Sequence, residues 1–172
     1  MPEKRTRKRA QRDKAEGKSA STQAGEYVRE EIHHVREGKH GARSAKQAIA
    51  IGLSKARRAG VDLAPPKKGK TSRRTRQSAE RDRERGQETR GRKKPSKKRA
   101  RATRAALRRE PRRAGSSRAL SRQARSAAER RSPQERSAAA KKAVRTKGPV
   151  RRRIAARKAA RTRRARKERA ED

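Results

Sequence analysis

The chain has 172 residues, with 59 Lys and Arg against 18 Asp and Glu, a net charge of +41, no Cys, Trp or Phe, and one Tyr. This composition excludes a disulfide framework and a Cys-based zinc fold. Hydrophobic residues make up 27%, but most are Ala, and nine of the fifteen others lie between Tyr27 and Leu63; the expected fold is therefore mainly α with extensive disorder.

Charge is spread unevenly along the chain. Residues 1–63 hold 16 basic and 8 acidic side chains, whereas residues 64–172 hold 43 and 10, an excess of +8 against +33. A polycation of this kind gathers polyanions around it, and nucleic acid is the default partner. Met1 to Lys18 contains no apolar run and includes Glu3, Asp13 and Glu16. That argues against a targeting peptide, and a cytoplasmic, nucleoid-associated location with no membrane partner is expected.

Residues 1–25 form a basic polar arm without periodicity, expected to be disordered. From Glu26 a first helix is predicted, because Val28, Ile32 and Val35 recur at i, i+4 and i+7 while Glu26, Glu30 and Glu31 favour its N-terminal end. Gly38 ends it. After a short turn, Ser44 and Gln47 make a capping box that starts a second helix. Ala48, Ile49, Gly52, Leu53 and Ala56 share a face of that helix, and Lys55, Arg57 and Arg58 suit its C-terminal dipole. Gly60 supplies a left-handed stop, with Val61 folding back towards Ala56.

Together these signals predict an αα-hairpin over about residues 26–60, within a hairpin segment 26–63. Its core is expected to be Val28, Ile32, Val35, Ile49, Leu53 and Ala56, with Lys46, Arg57 and Arg58 at the rim. So few large apolar side chains hardly offset the entropy of ordering the hairpin, and a homodimer contact or a polyanion is expected to hold it.

The segment Lys46–Gly60 (KQAIAIGLSKARRAG), preceded by the Glu-Tyr-Val helix, resembles small basic bacterial proteins of unknown function that are labelled DNA-binding, histone-like or plasmid-stabilisation proteins. Those proteins often carry an acidic residue where Lys55 stands. The resemblance implies DNA association without an established catalytic activity.

Pro65 and Pro66 end helical structure and open a linker and polar basic segment, 64–96, in which residues 73–92 are predicted as a frayed helix interrupted at Gly86. Residues 97–172 read as an Ala/Arg/Lys-rich nucleic-acid-binding tail with up to four helical segments. The first two run over about 97–110 and 118–131. The third starts at the Ser132 cap, with Pro133 and Glu135 in the first turn, and stops at Gly148-Pro149. The fourth runs from Val150 to about Ala170.

Within the tail, Ala139-Ala-Lys-Lys-Ala-Val-Arg-Thr146 is echoed sixteen residues later by Ala155-Ala-Arg-Lys-Ala-Ala-Arg-Thr162. Like charges at i, i+4 oppose helix formation, so the tail is expected to be helical at least when bound. It resembles histone-H1-like basic tails in composition.

Four clusters of cations are expected to track phosphates. Lys93, Lys94, Lys97, Lys98 and Arg99 form the first, and Arg108, Arg109, Arg112 and Arg113 the second. Arg151, Arg152 and Arg153 form the third, and Arg161, Arg163, Arg164, Arg166 and Lys167 the fourth; Lys141, Lys142, Arg157 and Lys158 are expected to bind with them. With Tyr27 the single aromatic residue, stacking platforms for splayed bases are lacking, which favours duplex backbones over single strands.

His33, His34 and His40 make a weak metal set, because adjacent residues on a helix diverge by about 100° and no well-spaced acid completes the ligands. No nucleophile with a base, phosphate-cradling loop or catalytic carboxylate pair is evident, so no enzyme, cofactor or metal is expected. The expected function is sequence-nonspecific binding of double-stranded DNA by a histone-H1-like, nucleoid-associated protein that compacts or bridges duplexes. The alternatives are an RNA- or ribosome-associated basic protein and a protein-binding adaptor tethered to DNA by its tails.

Overall fold

The computed structural model describes residues 2–88 and 96–171. Those residues are mainly helical and include no strand. In chain order the helices are α1 (Lys4–Ala15), α2 (Ala20–Glu37), α3 (Ala45–Arg58), α4 (Arg73–Gln87), α5 (Lys97–Arg109), a 3-10 turn at Arg112–Gly115, α6 (Ser117–Glu129) and α7 (Pro133–Glu171). The chain divides into two compact units, Met1–Gln123, called the head below, and Ala124–Asp172.

The hairpin of α2 and α3 organises the head. Gln47 N donates to Ser44 Oγ at 3.2 Å and starts α3, while Gln47 Oε1 accepts from the Arg43 amide at 2.7 Å, one residue before the cap itself. Gly38 (φ 77) ends α2, and the Lys39 amide reaches the His34 carbonyl at 3.0 Å. Gly60 (φ 92) ends α3, and Val61 N donates to Ala56 O at 3.1 Å. Both stops need a residue that tolerates positive φ, and glycine does so without steric cost.

Between the helices, α3 presents a seam of small residues, Ala45, Ala48, Gly52 and Ala56, all buried. At Gly52 the helices are so close that a Cβ would lie 2.6 Å from the Val28 Cα. Of the expected core, Ile32, Val35 and Ala56 are buried, whereas Val28, Ile49 and Leu53 are only partly so. Large side chains flank the seam because its middle has room only for small ones.

Two apolar clusters lie on this frame. Ala10, Ala24, Tyr27, Ala56 and Val61 make one, with Leu53 and Leu63 against it; Ile32, Val35, Ala42, Ala48 and Ala114 make the other, with Val28 and Leu120. Ala10 comes from α1, and Ala114 and Leu120 come from beyond α5, so other parts of the chain pack on the hairpin.

Three expectations are corrected. The arm 1–25 is not disordered: residues 4–15 are helical and dock on α2 through Thr6, Ala10 and Asp13, a small and polar face that gives no apolar periodicity. The segment 64–96 holds a regular helix, α4, that passes through Gly86 and packs on α3. Gly86 is needed there because a Cβ would lie 1.8 Å from Arg57 O. Finally, the end of α5 and the stretch after it, read as tail, close onto the α2–α3 loop, where Gly41 N donates to Leu107 O at 2.8 Å and Ala42 N to Pro111 O at 3.2 Å.

The second unit consists of the end of α6 and α7. Ser132 and Glu135 form the reciprocal capping box, with Glu135 N to Ser132 Oγ at 3.1 Å and Ser132 N to Glu135 Oε2 at 3.0 Å. Gly148 (φ 66, ψ 171) breaks the helix geometry before Pro149, so α7 is two helical runs across a kink. The sixteen-residue echo has a structural counterpart: Thr146 Oγ1 donates to Lys142 O at 2.9 Å and Thr162 Oγ1 to Lys158 O at 3.0 Å.

Candidate nucleic-acid interface

The cations picked out in the sequence fall on two different kinds of surface. On α5, Lys97, Lys98, Arg99, Arg108 and Arg109 are exposed, seven basic residues and no acid occupying that helix. Arg113 is exposed on the 3-10 turn. Arg112 has a structural task as well, since its Nη2 donates to Arg36 O at 2.7 Å and caps the end of α2. Lys93 and Lys94 lie outside the described residues.

On α7, Lys141, Lys142, Arg151, Arg152, Arg153, Arg157, Lys158, Arg161, Arg163, Arg164 and Lys167 are all exposed. The side chain of Arg166 lies outside the described ones. Pro133–Glu171 contains sixteen basic residues and three acidic ones, Glu135, Glu168 and Glu171. Internal pairing therefore cannot neutralise the helix, even where Arg164 Nε meets Glu168 Oε1 at 3.1 Å. The run from Val150 to Glu171 rises about 33 Å, a length close to one turn of B-form duplex.

The hairpin rim behaves differently from expectation. Arg57 is buried, donating to Leu63 O at 3.1 Å and Ala64 O at 3.2 Å, so it ties α3 to the segment entering Pro65 rather than facing a ligand. Burial lowers its guanidinium from the ordinary range, with Asp82 opposing the shift. Arg58 Nε donates to Asp82 Oδ1 at 2.6 Å, and Ser54 Oγ to Asp82 Oδ2 at 2.5 Å. Lys46 remains exposed. Tyr27 is buried among Ala10, Ala24, Ala56 and Val61 and is closed to base stacking; burial pushes its phenol up.

A cluster of ionisable side chains that the sequence did not bring together lies at the loop end of the hairpin. Glu31, on α2, is fully buried, with Oε2 bonded by the Lys55 ammonium from α3. His40, in the loop, brings Nε2 to 3.2 Å from Glu31 Oε1, and its Nδ1 lies 3.0 Å from Gly41 O. His34 stands edge-on to His40 with ring centroids 6.1 Å apart. Its Nε2 is 2.9 Å from Glu3 Oε1 and 4.0 Å from Glu30 Oε1. The hydrogen bond from His34, aided by Lys39, holds the Glu3 carboxyl below its ordinary value.

His33 is exposed while His34 is half-buried, as the divergence of adjacent helical positions predicts. The expectation that no acid completes the set is corrected, because Glu31 and His34 at i, i+3 share a face of α2 and the loop returns His40 to that face. The i, i+3 pair is legible in the sequence; the return of His40 is not.

The chain thus comprises a helical unit closed around a seam of small residues and a second, strongly basic helical unit. Over residues 11–68 the chain is similar to a family described as a family of unknown function (DUF6496). The matched stretch takes in the later part of α1, all of α2 and α3, and the double proline. No curated protein and no solved structure matches the chain.

Among the described residues, no helix is long and apolar enough to cross a membrane.

Proposed function

We propose that this chain is a sequence-nonspecific double-stranded-DNA-binding protein of the histone-H1-like kind, associated with the nucleoid in the cytoplasm, that neutralises phosphates and compacts or bridges duplexes. The observation that carries the reading is the sixteen-to-three excess of basic over acidic side chains along α7, whose described residues contribute nothing buried. A helix with no packed face and like charges one turn apart gains little from its own fold. Phosphates supply the counter-charge, and binding releases condensed counterions from the duplex. Disorder of α7 in the free chain, with helix formation on DNA, belongs to the same proposal.

Base reading is not part of it. Phosphate contacts position a protein on DNA without reporting sequence. The exposed Ala/Arg/Lys surface of α7 includes no Asn, and its single Gln, Gln134, lies in the first turn. That leaves little with which to read adenine edges.

Salt-titrated binding to a mixed-sequence duplex tests the proposal. If ten cations engage phosphates, log K falls against log salt with a slope of about −9. A slope shallower than about −3 overturns it. Structured RNA titrated in parallel decides between DNA and RNA, and a clear preference for RNA at matched salt reverses the reading. Far-ultraviolet circular dichroism with and without duplex reports the helix gain.

A further inference from the structure

We propose that Glu31, His34 and His40 form a binding site for a divalent transition-metal ion of the zinc type, clamping the α2–α3 loop to α2. The inference is independent of the DNA reading. One ligand atom from each of the three residues lies within 4.8 Å of the others. A zinc ion held at bond lengths of about 2.0–2.2 Å by imidazole nitrogens and a carboxylate oxygen sets its ligand atoms about 3.3 Å apart, close to the 3.2 Å that already separates His40 Nε2 from Glu31 Oε1.

The state of Glu31 points to a cation. Oε1 is buried and has no hydrogen-bond partner, although His40 Nε2 is only 3.2 Å away, so the two atoms are close but misaligned for a hydrogen bond. A buried carboxylate oxygen left without a donor is costly. His40 Nδ1 faces the Gly41 carbonyl, and if its proton is donated there, the neutral ring keeps its lone pair on Nε2, towards Glu31. A cation between Nε2 and Oε1 would satisfy both lone pairs.

A second donor group, Glu3, Glu30 and His34, shares His34 with the first. It is the weaker choice because its acids are already engaged: both Glu30 oxygens lie 3.3 Å from the Glu3 amide, and Glu3 Oε1 contacts His34 and Lys39. Those two acids instead act as neighbours to the site. Glu3 holds the His34 ring, the arrangement by which a carboxylate orients a metal-binding imidazole. Around the cluster the three acids Glu3, Glu30 and Glu31 stand against two bases, Lys39 and Lys55, and the excess negative charge favours a cation. Lys55 occupies Oε2 of Glu31 and leaves Oε1 as the coordinating oxygen. Two imidazoles and one carboxylate make a three-ligand set that suits zinc, with a fourth position open to water.

The test uses the full chain, stripped with a chelator and titrated with Zn2+ by calorimetry, with Co2+ as a visible-absorbing probe. The expected result is one ion per chain, with affinity reduced at least about 10-fold in His40→Ala and in His34→Ala and unchanged in His33→Ala. Imidazole resonances of the unmodified protein provide a readout independent of any variant: zinc is expected to shift two of the three histidines and leave His33 in place. Absence of saturable zinc binding, wild-type affinity in His40→Ala, or a His33 response equal to the other two overturns the site.

Discussion

In the head, Asp82 lies buried between Ser54 and Arg58, and Glu31 is sealed beside Lys55; on α7, Glu168 meets Arg164 across an exposed pair one turn apart. The same chemical group thus has two different values in one chain. The head has little large apolar mass, and its acids act as fasteners: Asp13 to Lys18, Glu26 to Arg9, Asp62 to Arg83 and Asp82 to Arg58. Along α7 three acids stand against sixteen basic residues, so internal pairing leaves a large excess of positive charge. Where side chains close on one another, charge is consumed internally; where nothing closes, it is available for binding.

The largest expected effect breaks the comparison outright. Ending the chain after Arg131 removes sixteen basic residues. Duplex affinity near 0.1 M salt is expected to fall by about 100-fold or more, with the salt slope flattening by about 0.9 for each phosphate no longer neutralised. Fluorescence anisotropy across a salt series measures both. Undiminished affinity would place the interface on the head.

The reverse lesion is Gly52→Leu. A side chain there meets the Val28 backbone, and the head is expected to lose about 3 kcal/mol or more of stability. Denaturant melts read that loss, while duplex affinity of the full chain, which we assign to α7 by proposal, is expected to change less than about 3-fold. Equal damage to both would show that α7 depends on the head.

A matched pair of acid removals sharpens the contrast. Asp82→Ala strips the partner from Ser54 and Arg58 and is expected to cost about 1–3 kcal/mol. Glu168→Ala removes an exposed pair and is expected to stay within about 0.5 kcal/mol. Chemical denaturation of the two variants side by side tests it, and similar costs would erase the distinction.

The smallest effect concerns pH. Burial raises the folded-state phenol of Tyr27, so its stabilising contribution is complete below the unfolded value of about 10 and is lost as pH rises through the folded one. Thermal melts between about pH 8 and 11 are expected to show a shallower alkaline decline in Tyr27→Phe than in the unmodified chain. Equal declines would assign the effect to lysines such as Lys18, whose bonds to Asp13 and Glu16 raise it.

Helix ends are the most legible feature of the chain. Ser44 with Gln47, Ser132 with Glu135, Gly38, Gly60 and Gly148-Pro149 all mark boundaries that the structure contains, because caps and left-handed stops are settled within one turn of backbone. The excess of cations beyond Pro66 follows from composition alone. Closure of the head is not legible. α1 docks through Thr6, Ala10 and Asp13, α4 through Ala79, Asp82 and Gly86, and the turn after α5 through Ala114 and Gly115. Small and polar faces leave no hydrophobic period to read, and their partners lie far away in sequence. Whether such a residue is buried depends on which backbone approaches it. That choice, like the meeting of His40 with Glu31, is made only when the helices assemble.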